Sequence, residues 1–164
     1  KKDLVDLYVN RDQHSFSTQV TDLDNIQNPS IHSLLSSKYH EAQMHRLNIH
    51  AEIPDPVIHN YLTDLDLAVV LGHLMDNAID GARKASEGFI SLAYFDEEDC
   101  QSFIIESTIA EEQVPLSMMS TQLSHPEGGI GVNAVQDILE RYPNTSFSVR
   151  SQNRKMMQIL EMRP

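Results

Sequence analysis

The spacing of hydrophobic and polar residues along the chain predicts helices and strands in alternation. Residues 4–26 carry thinly spaced apolar residues at helical intervals, a pattern more typical of packing against a partner than of forming a core. Asn28 and Pro29 interrupt this pattern. Ser30 can cap a second helix, which is predicted over residues 31–46 with its apolar positions on one side.

The middle of the chain contains a strand pattern followed by the best-defined helix. Residues 47–53 alternate between apolar and polar, as expected for a half-buried strand. Residues 63–84 have the apolar spacing of an amphipathic helix, and Thr63 with Asp66 resembles a capping box at its start. The apolar arc of this helix is expected to face a sheet.

Four further strand segments are predicted, at residues 89–95, 102–107, 146–150 and 156–162. Residues 109–127 form a polar stretch that is long for a loop in a compact domain, and loops of that length are usually functional lids or disordered. A short helix follows the glycines at 128–131 and ends before Pro143. Together these elements predict an α+β layer of helices on one sheet.

The charge of the chain restricts the kinds of ligand that it can bind. The 164 residues include 12 Lys plus Arg against 24 Asp plus Glu, so the formal net charge is −12. Such a chain lacks the cations that neutralise a nucleic-acid backbone, which argues against nucleic-acid binding. It can still bind an anionic ligand through a bound metal or a helix N-terminus. Cys100 is the single cysteine, so an intrachain disulfide is excluded and a reducing compartment is indicated.

The central predicted helix has a narrow polar side opposite its apolar arc. We call it the polar stripe, and on a helical wheel it consists of Asp66, His73, Asn77, Asp80 and Lys84. A solvated outer face is the ordinary explanation for such residues. Asn and His are poor helix formers, however, and an Asn side-chain oxygen is a ligand suited to Mg²⁺. A solvated face and a functional face both remain open.

A glycine cluster lies at the junction of the polar stretch and the short helix. Gly128, Gly129 and Gly131 would let the backbone approach a ligand closely, and the helix start offers free N–H groups that favour phosphate. The segment is neither a Walker A loop nor a GxGxxG motif. A simple structural turn is the alternative.

These motifs together resemble a known family. Residues 71–82 read LGHLMDNAIDGA and resemble the N box of the GHKL, or Bergerat-fold, ATPases, which include type II topoisomerases, MutL-type repair proteins and sensor histidine kinases. Residues 129–135 read GIGVNAV and resemble the G box of that family. Residues 37–42 resemble the linker before this domain in peptide-responsive, quorum-sensing histidine kinases of Gram-positive bacteria. The resemblance covers residues 30–162, with the motifs in the family's order.

The resemblance implies a fold and a nucleotide site. The fold would be a two-layer α/β sandwich at residues 29–164, with a mixed, mostly antiparallel sheet and helices on one face. Residues 1–28 would be the helical tail of an upstream dimerisation hairpin. Mg·ATP would lie between the N-box helix and the glycine turn, with Mg²⁺ on the amide oxygen of Asn77. The implied ATP-binding residues are Asn77, Asp80, Ser107, Thr108, Gly129, Gly131, Lys38 and His125.

The sequence departs from the family's pattern in three ways, one of which is the absence of the DxGxG motif, as is usual in the quorum-sensing group. His73 stands four residues before the metal-binding Asn, where the ATPases commonly have Glu and many kinases have Asn. It is the candidate catalytic residue, and a partly buried helix histidine is the alternative. Ser107 and Thr108 stand where the family places Asp, or in the quorum-sensing group Asn, near the adenine. A hydroxyl can accept a hydrogen bond from the adenine amino group.

The function implied by the resemblance is the ATP-binding catalytic domain of a two-component sensor histidine kinase. It would transfer the γ-phosphoryl group of Mg·ATP to a histidine outside this chain, because His14 lacks the residues that follow a phosphoacceptor. The implied partners are a response regulator and a second copy, joined through the upstream hairpin. The domain would be cytoplasmic, with membrane attachment only through segments that precede Lys1.

Two alternatives remain for this function. One is a degenerate, pseudokinase-like GHKL module that acts by protein–protein interaction. The other is an ATPase-driven clamp like the MutL or topoisomerase members. His73, at the position where those clamps have the catalytic Glu, argues against the clamp.

Overall fold

The computed structural model describes residues 6, 22–112 and 131–164, with the backbone alone for residues 131–134. The helices are α1 (Pro29–Met44), α2 (Asp64–Lys84) and α3 (Gly131–Glu140), and a short 3-10 helix spans Asp22–Asn25. The strands are β1 (Asn48–Glu52), β2 (Phe89–Glu97), β3 (Cys100–Thr108), β4 (Thr145–Gln152) and β5 (Lys155–Met162). The order and type of α1, α2, α3 and the strands agree with the hydrophobic pattern.

The strands form one mixed sheet with the order β1-β2-β3-β5-β4. Strands β1 and β2 are parallel, and the other neighbouring pairs are antiparallel. Helix α2 packs on β2 and β3, and α1 and α3 pack against α2. This arrangement confirms the predicted two-layer α+β sandwich with a mixed, mostly antiparallel sheet.

The main core lies between the helices and one face of the sheet. Tyr94 and Phe103 are fully buried there, with their rings edge to face and centroids 5.4 Å apart. The apolar arc predicted on the central helix is buried as well, in Leu67, Leu71, Leu74, Met75, Ala78, Ile79 and Ala82. A smaller cluster on the opposite face contains Ala93, Phe95, Ile104, Met157 and Ile159.

Helix α1 begins earlier than the sequence pattern predicted. The side chain of Asn28, rather than that of Ser30, caps the helix and accepts hydrogen bonds from the backbone N–H groups of Ser30 and Ile31. Pro29 occupies the first turn, where its missing N–H costs nothing. The break in the pattern at Asn28 and Pro29 is therefore the start signal of helix α1.

The predicted N-terminal helical segment lies mostly outside the described residues. Its last part differs from the prediction, because residues 22–25 form a 3-10 helix instead of an α-helix. Leu23 and Ile26 join the main core, and Ile26 makes a parallel bridge to Val57. The division of the chain at residue 28 stays a prediction.

The start of α2 is tied to the end of α3 by a polar network. Thr63 Oγ1 accepts the backbone N–H of Asp66 at 3.3 Å, as the capping box predicts. In a capping box a second hydrogen bond joins the side chain three residues later to the N–H of the cap residue. Here Tyr142 mediates this contact, because its hydroxyl accepts the N–H of Thr63 and donates to Asp66 Oδ2 at 2.6 Å. Arg141 donates to Asp66 Oδ1 at 2.9 Å. Asp66 is thus a structural residue and not part of the proposed ligand site.

We expect Asp66→Asn to lower the free energy of unfolding by about 1–2 kcal/mol, because charge-assisted hydrogen bonds to Tyr142 and Arg141 are lost. Chemical denaturation at neutral pH measures this change. Asp64→Asn is the matched control, because it removes an exposed acid from the same first turn. Equal effects of the two substitutions would mean that only the helix dipole matters.

The contribution of Asp66 also depends on pH. The hydrogen bond from Tyr142, followed by the contacts with Thr63 and Arg141, lowers the pKa of Asp66 despite its burial. Because the folded pKa lies below the unfolded value, the stabilisation is fully present above the unfolded pKa and is lost as the pH falls through the folded pKa. The stability difference between wild type and Asp66→Asn should therefore shrink in acid.

Candidate functional site

The polar stripe of α2 is not a solvated face along its whole length. Asp66 and Asn77 are buried, His73 and Asp80 are half-buried, and Lys84 is exposed. The middle of the stripe therefore turns into the interior, where polar groups require hydrogen-bond partners. The burial of Asp66 is explained by its hydrogen bonds at the start of the helix. The burial of Asn77, in the middle of the helix, needs another explanation.

Asn77 meets a buried glutamine on the sheet. Its Nδ2 donates to Oε1 of Gln158 on β5 at 3.4 Å. Gln158 is 1% exposed, and its Nε2 donates to the backbone carbonyl of Leu74 at 3.0 Å. The metal-binding position predicted from the N box is thus held by a side chain from the opposite layer of the fold.

Ser107 belongs to β3 and lies beside Gly81, which is one turn after Asn77 on α2. It is fully buried near the end of β3, and its hydroxyl has no hydrogen-bond partner within the described ranges. A Cβ placed on Gly81 would come within 3.9 Å of this hydroxyl and 3.2 Å of Ile109 Cγ2. The glycine therefore keeps α2 close to the end of β3 without a side chain between them.

Thr108, the neighbour of Ser107, has a different environment. Its hydroxyl donates to the carbonyl of Glu87 at 2.8 Å and accepts the backbone N–H of Phe89 at 3.0 Å. These bonds tie the end of β3 to the start of β2. The hydroxyl is already used in structural contacts, so its role in nucleotide binding stays a prediction.

Lys38 on α1 pairs with two carboxylates, one on α1 and one on α2. Its Nζ lies 2.5 Å from Asp76 Oδ1 and 2.9 Å from Glu41 Oε2. Burial acts to lower the pKa of Lys38, but the hydrogen bonds and charges of Asp76 and Glu41 outweigh it and raise the pKa. The positive charge of Lys38 is therefore offset by Glu41 and Asp76. Asp76 directly precedes Asn77 on α2.

The remaining predicted site residues are only partly described. Gly131 is the first residue of α3, whereas Gly129 and His125 lie outside the described residues. Asp80 lies one turn from Asn77 and one turn from Lys84 on α2. In the described ranges no group of three or more His, Cys, Asp or Glu side chains could hold a metal ion.

Sequence reasoning missed Gln158. The signal was present, because Gln158 interrupts a run of apolar residues in β5 and polar residues at such positions need buried partners. What the sequence did not contain was the pairing, since Asn77 and Gln158 are 81 residues apart. The ion pair between Lys38 and Asp76 was missed for the same reason.

The comparison with family models agrees with this geometry. A model described as GHKL domain matches residues 62–163, which is more than half of the chain. The chain belongs to the GHKL domain family. The match spans α2, the sheet from β2 onward and α3, and so contains Asn77, Ser107 and Gln158. No curated protein matches the sequence significantly.

Solved histidine kinase domains share the fold of this GHKL domain. The catalytic domain of histidine kinase ThkA has a TM-score of 0.64 at 13% identity, over 82% of this chain and 89% of that chain. The mycobacterial sensor histidine kinase MprB has 0.60 at 12% identity, over 81% and 93%. The blue-light activated histidine kinase of Erythrobacter litoralis EL346 has 0.62 at 13% identity, but this chain spans only 40% of it. Identities this low establish the fold alone.

The described part of this GHKL domain contains no helix long and apolar enough to cross a lipid bilayer.

We expect Ser107→Ala to leave the stability of the GHKL domain unchanged or to raise it by about 1 kcal/mol, because a buried unpaired hydroxyl is costly. Thermal unfolding without ligand measures the change. Ser102→Ala is the matched control on the same strand, since that hydroxyl is also buried but contacts the sulfur of Cys100 at 3.8 Å. A clear loss of stability in Ser107→Ala alone would contradict the assignment of an unpaired hydroxyl.

Proposed function

We propose that this GHKL domain binds Mg·ATP and is the catalytic domain of a sensor histidine kinase. The supporting observation is the pair of buried polar groups on one side of α2, the amide of Asn77 and the unpaired hydroxyl of Ser107. Burying an unpaired hydroxyl is unfavourable, and a ligand that hydrogen-bonds to it would remove the cost. A structural role alone gives no reason for Ser107 at this position.

The two groups fit different parts of the nucleotide. Asn77 carries an amide oxygen of the kind that binds Mg²⁺, and Mg²⁺ held there would offset the charge of the phosphates. Ser107, whose hydroxyl is buried without a partner in the described part of the chain, would accept or donate a hydrogen bond at the adenine. We further assign Asp80, Thr108, Lys38, Gly129, Gly131 and His125 to the surroundings of the nucleotide.

The kinase activity is proposed together with the site. The domain would transfer the γ-phosphoryl group to a histidine outside this chain, acting by positioning and charge neutralisation. His73, half-buried one turn before Asn77, is the proposed catalytic residue. We propose a response regulator as partner, dimerisation through an upstream hairpin, and a cytoplasmic position in a membrane-bound sensor. A quorum-sensing sensor is the proposed subtype, from the linker at residues 37–42.

A second function has one specific observation in its favour. Ser107 offers a neutral hydroxyl where the family has a carboxylate or an amide, so its hydrogen bond to adenine would lack charge assistance. A pseudokinase-like module that acts by protein–protein interaction would tolerate this change. Nucleotide binding distinguishes the two functions.

Binding of Mg·ATP tests the proposal directly. We expect saturable binding below millimolar nucleotide in isothermal titration calorimetry, with an affinity that falls at least about tenfold when EDTA removes Mg²⁺. Asn77→Ala should abolish the gain from Mg²⁺, whereas Asn48→Ala, which changes an exposed Asn on β1, should retain it. No saturable binding by the folded wild type would favour the pseudokinase-like module.

His73 is tested by separating binding from transfer. We expect His73→Ala to bind Mg·ATP within about twofold of wild type and to transfer phosphate at least about 100-fold more slowly, as for loss of a general acid–base group. Transfer is measured with γ-labelled ATP on a chain that includes the acceptor histidine. His40→Ala on α1 is the control. Normal transfer by His73→Ala would make His73 a structural helix residue.

A further inference from the structure

Gln158 is an unusual residue for its place in the sheet. It lies on the helix-facing side of β5, between Met157 and Ile159, and is 1% exposed. A buried amide must form hydrogen bonds at both ends to offset its desolvation. Gln158 does so with two groups of α2, the carbonyl of Leu74 and the side chain of Asn77.

The polarity of this contact is fixed by the backbone. The carbonyl of Leu74 can only accept a hydrogen bond, so the end of Gln158 that faces it must be the NH₂ group. The oxygen of Gln158 is then the end that faces Asn77, and it can only accept. Asn77 must therefore present its own NH₂ group to Gln158, and its amide oxygen lies at the other end of the amide.

We propose that Gln158 is a positioning residue that orients the Asn77 amide so that its oxygen, and not its NH₂ group, faces the ligand. An Asn amide can rotate between two orientations of similar shape, and only one of them presents oxygen to a cation. The orientation is set by a chain of two hydrogen bonds that starts at a helix carbonyl. The inference rests on the proposed function, because Mg²⁺ is the cation that the oxygen would bind.

A second buried glutamine provides a matched control. Gln101 on β3 is 0% exposed, its Nε2 donates to the carbonyl of His59 at 2.6 Å, and its Oε1 accepts the hydroxyl of Tyr94 at 3.4 Å. It has the same residue type, burial and bonding pattern as Gln158, but its partners His59 and Tyr94 lie outside α2. Gln101→Met and Gln158→Met should therefore lower the melting temperature by similar amounts. Only Gln158→Met should change the hydrogen bonding of Asn77.

The geometry can be tested in the ligand-free protein by NMR. In wild type, the side-chain amide protons of Asn77 should exchange with solvent at least about tenfold more slowly than those of exposed Asn48, and should show a nuclear Overhauser effect to Gln158. Both features should be lost in Gln158→Met and kept in Gln101→Met. Rapid exchange of the Asn77 amide in wild type would overturn the proposal without any variant.

The consequence for the ligand is tested by titrating ATP with Mg²⁺ or with EDTA. We expect Gln158→Met to reduce the gain in affinity from Mg²⁺ by about tenfold, as for loss of a group that orients a metal ligand, and to leave binding in EDTA within about twofold. The same substitution in an Asn77→Ala background should have no further effect, because Gln158 acts through Asn77. Gln101→Met should behave as wild type.

The outcomes separate the two proposals. Wild type that binds no nucleotide contradicts the proposed function, and the NMR experiment still decides whether Gln158 orients Asn77. Wild type that responds to Mg²⁺ and keeps that response in folded Gln158→Met supports the function and overturns the role of Gln158. Equal losses in EDTA and in Mg²⁺ would also overturn it, because a general packing defect does not discriminate between the two conditions.

Discussion

Helix α2 must bury an apolar arc against the sheet while keeping the polar groups on the same surface hydrogen-bonded. Leu71, Leu74 and Ala78 are 0% exposed, and Asn77 on the polar stripe is buried as well. A buried amide without partners would cost about 1–3 kcal/mol, so the contact with Gln158 is a condition for this packing. The helix is thereby fixed at two points, at its start through Asp66 and in its middle through the backbone carbonyl of Leu74.

The buried polar groups near this site differ in whether the protein itself supplies their hydrogen-bond partners. The carboxylate of Asp66 and the hydroxyl of Thr108 have their partners within the protein, and both connect secondary-structure elements. The hydroxyl of Ser107 is buried without one among the described residues. Residues of the first kind connect elements of the fold, whereas the unpaired hydroxyl of Ser107 supports the proposed ligand site.

The acidic character of the chain constrains how an anionic ligand could be held. The net charge is −12, and Lys38 is already paired with Glu41 and with Asp76, the residue that precedes Asn77. Little positive side-chain charge is thus left for phosphates on this side of α2. A bound divalent cation, helped by the backbone N–H groups at the start of α3, would be the means of neutralisation.

The sequence by itself determined the elements, their order and the candidate positions on α2, because hydrophobic periodicity and the N-box residues are local properties of the chain. Through the family resemblance it also predicts Ser107 as a residue near the adenine, and this stays a prediction. Only the tertiary structure decided which polar residues meet. Tyr142 completes the cap at Thr63, Lys38 pairs with Asp76, and Gln158 bonds to Asn77 across 81 positions. Such pairings depend on the register of strands and the rotation of helices, which no local pattern specifies.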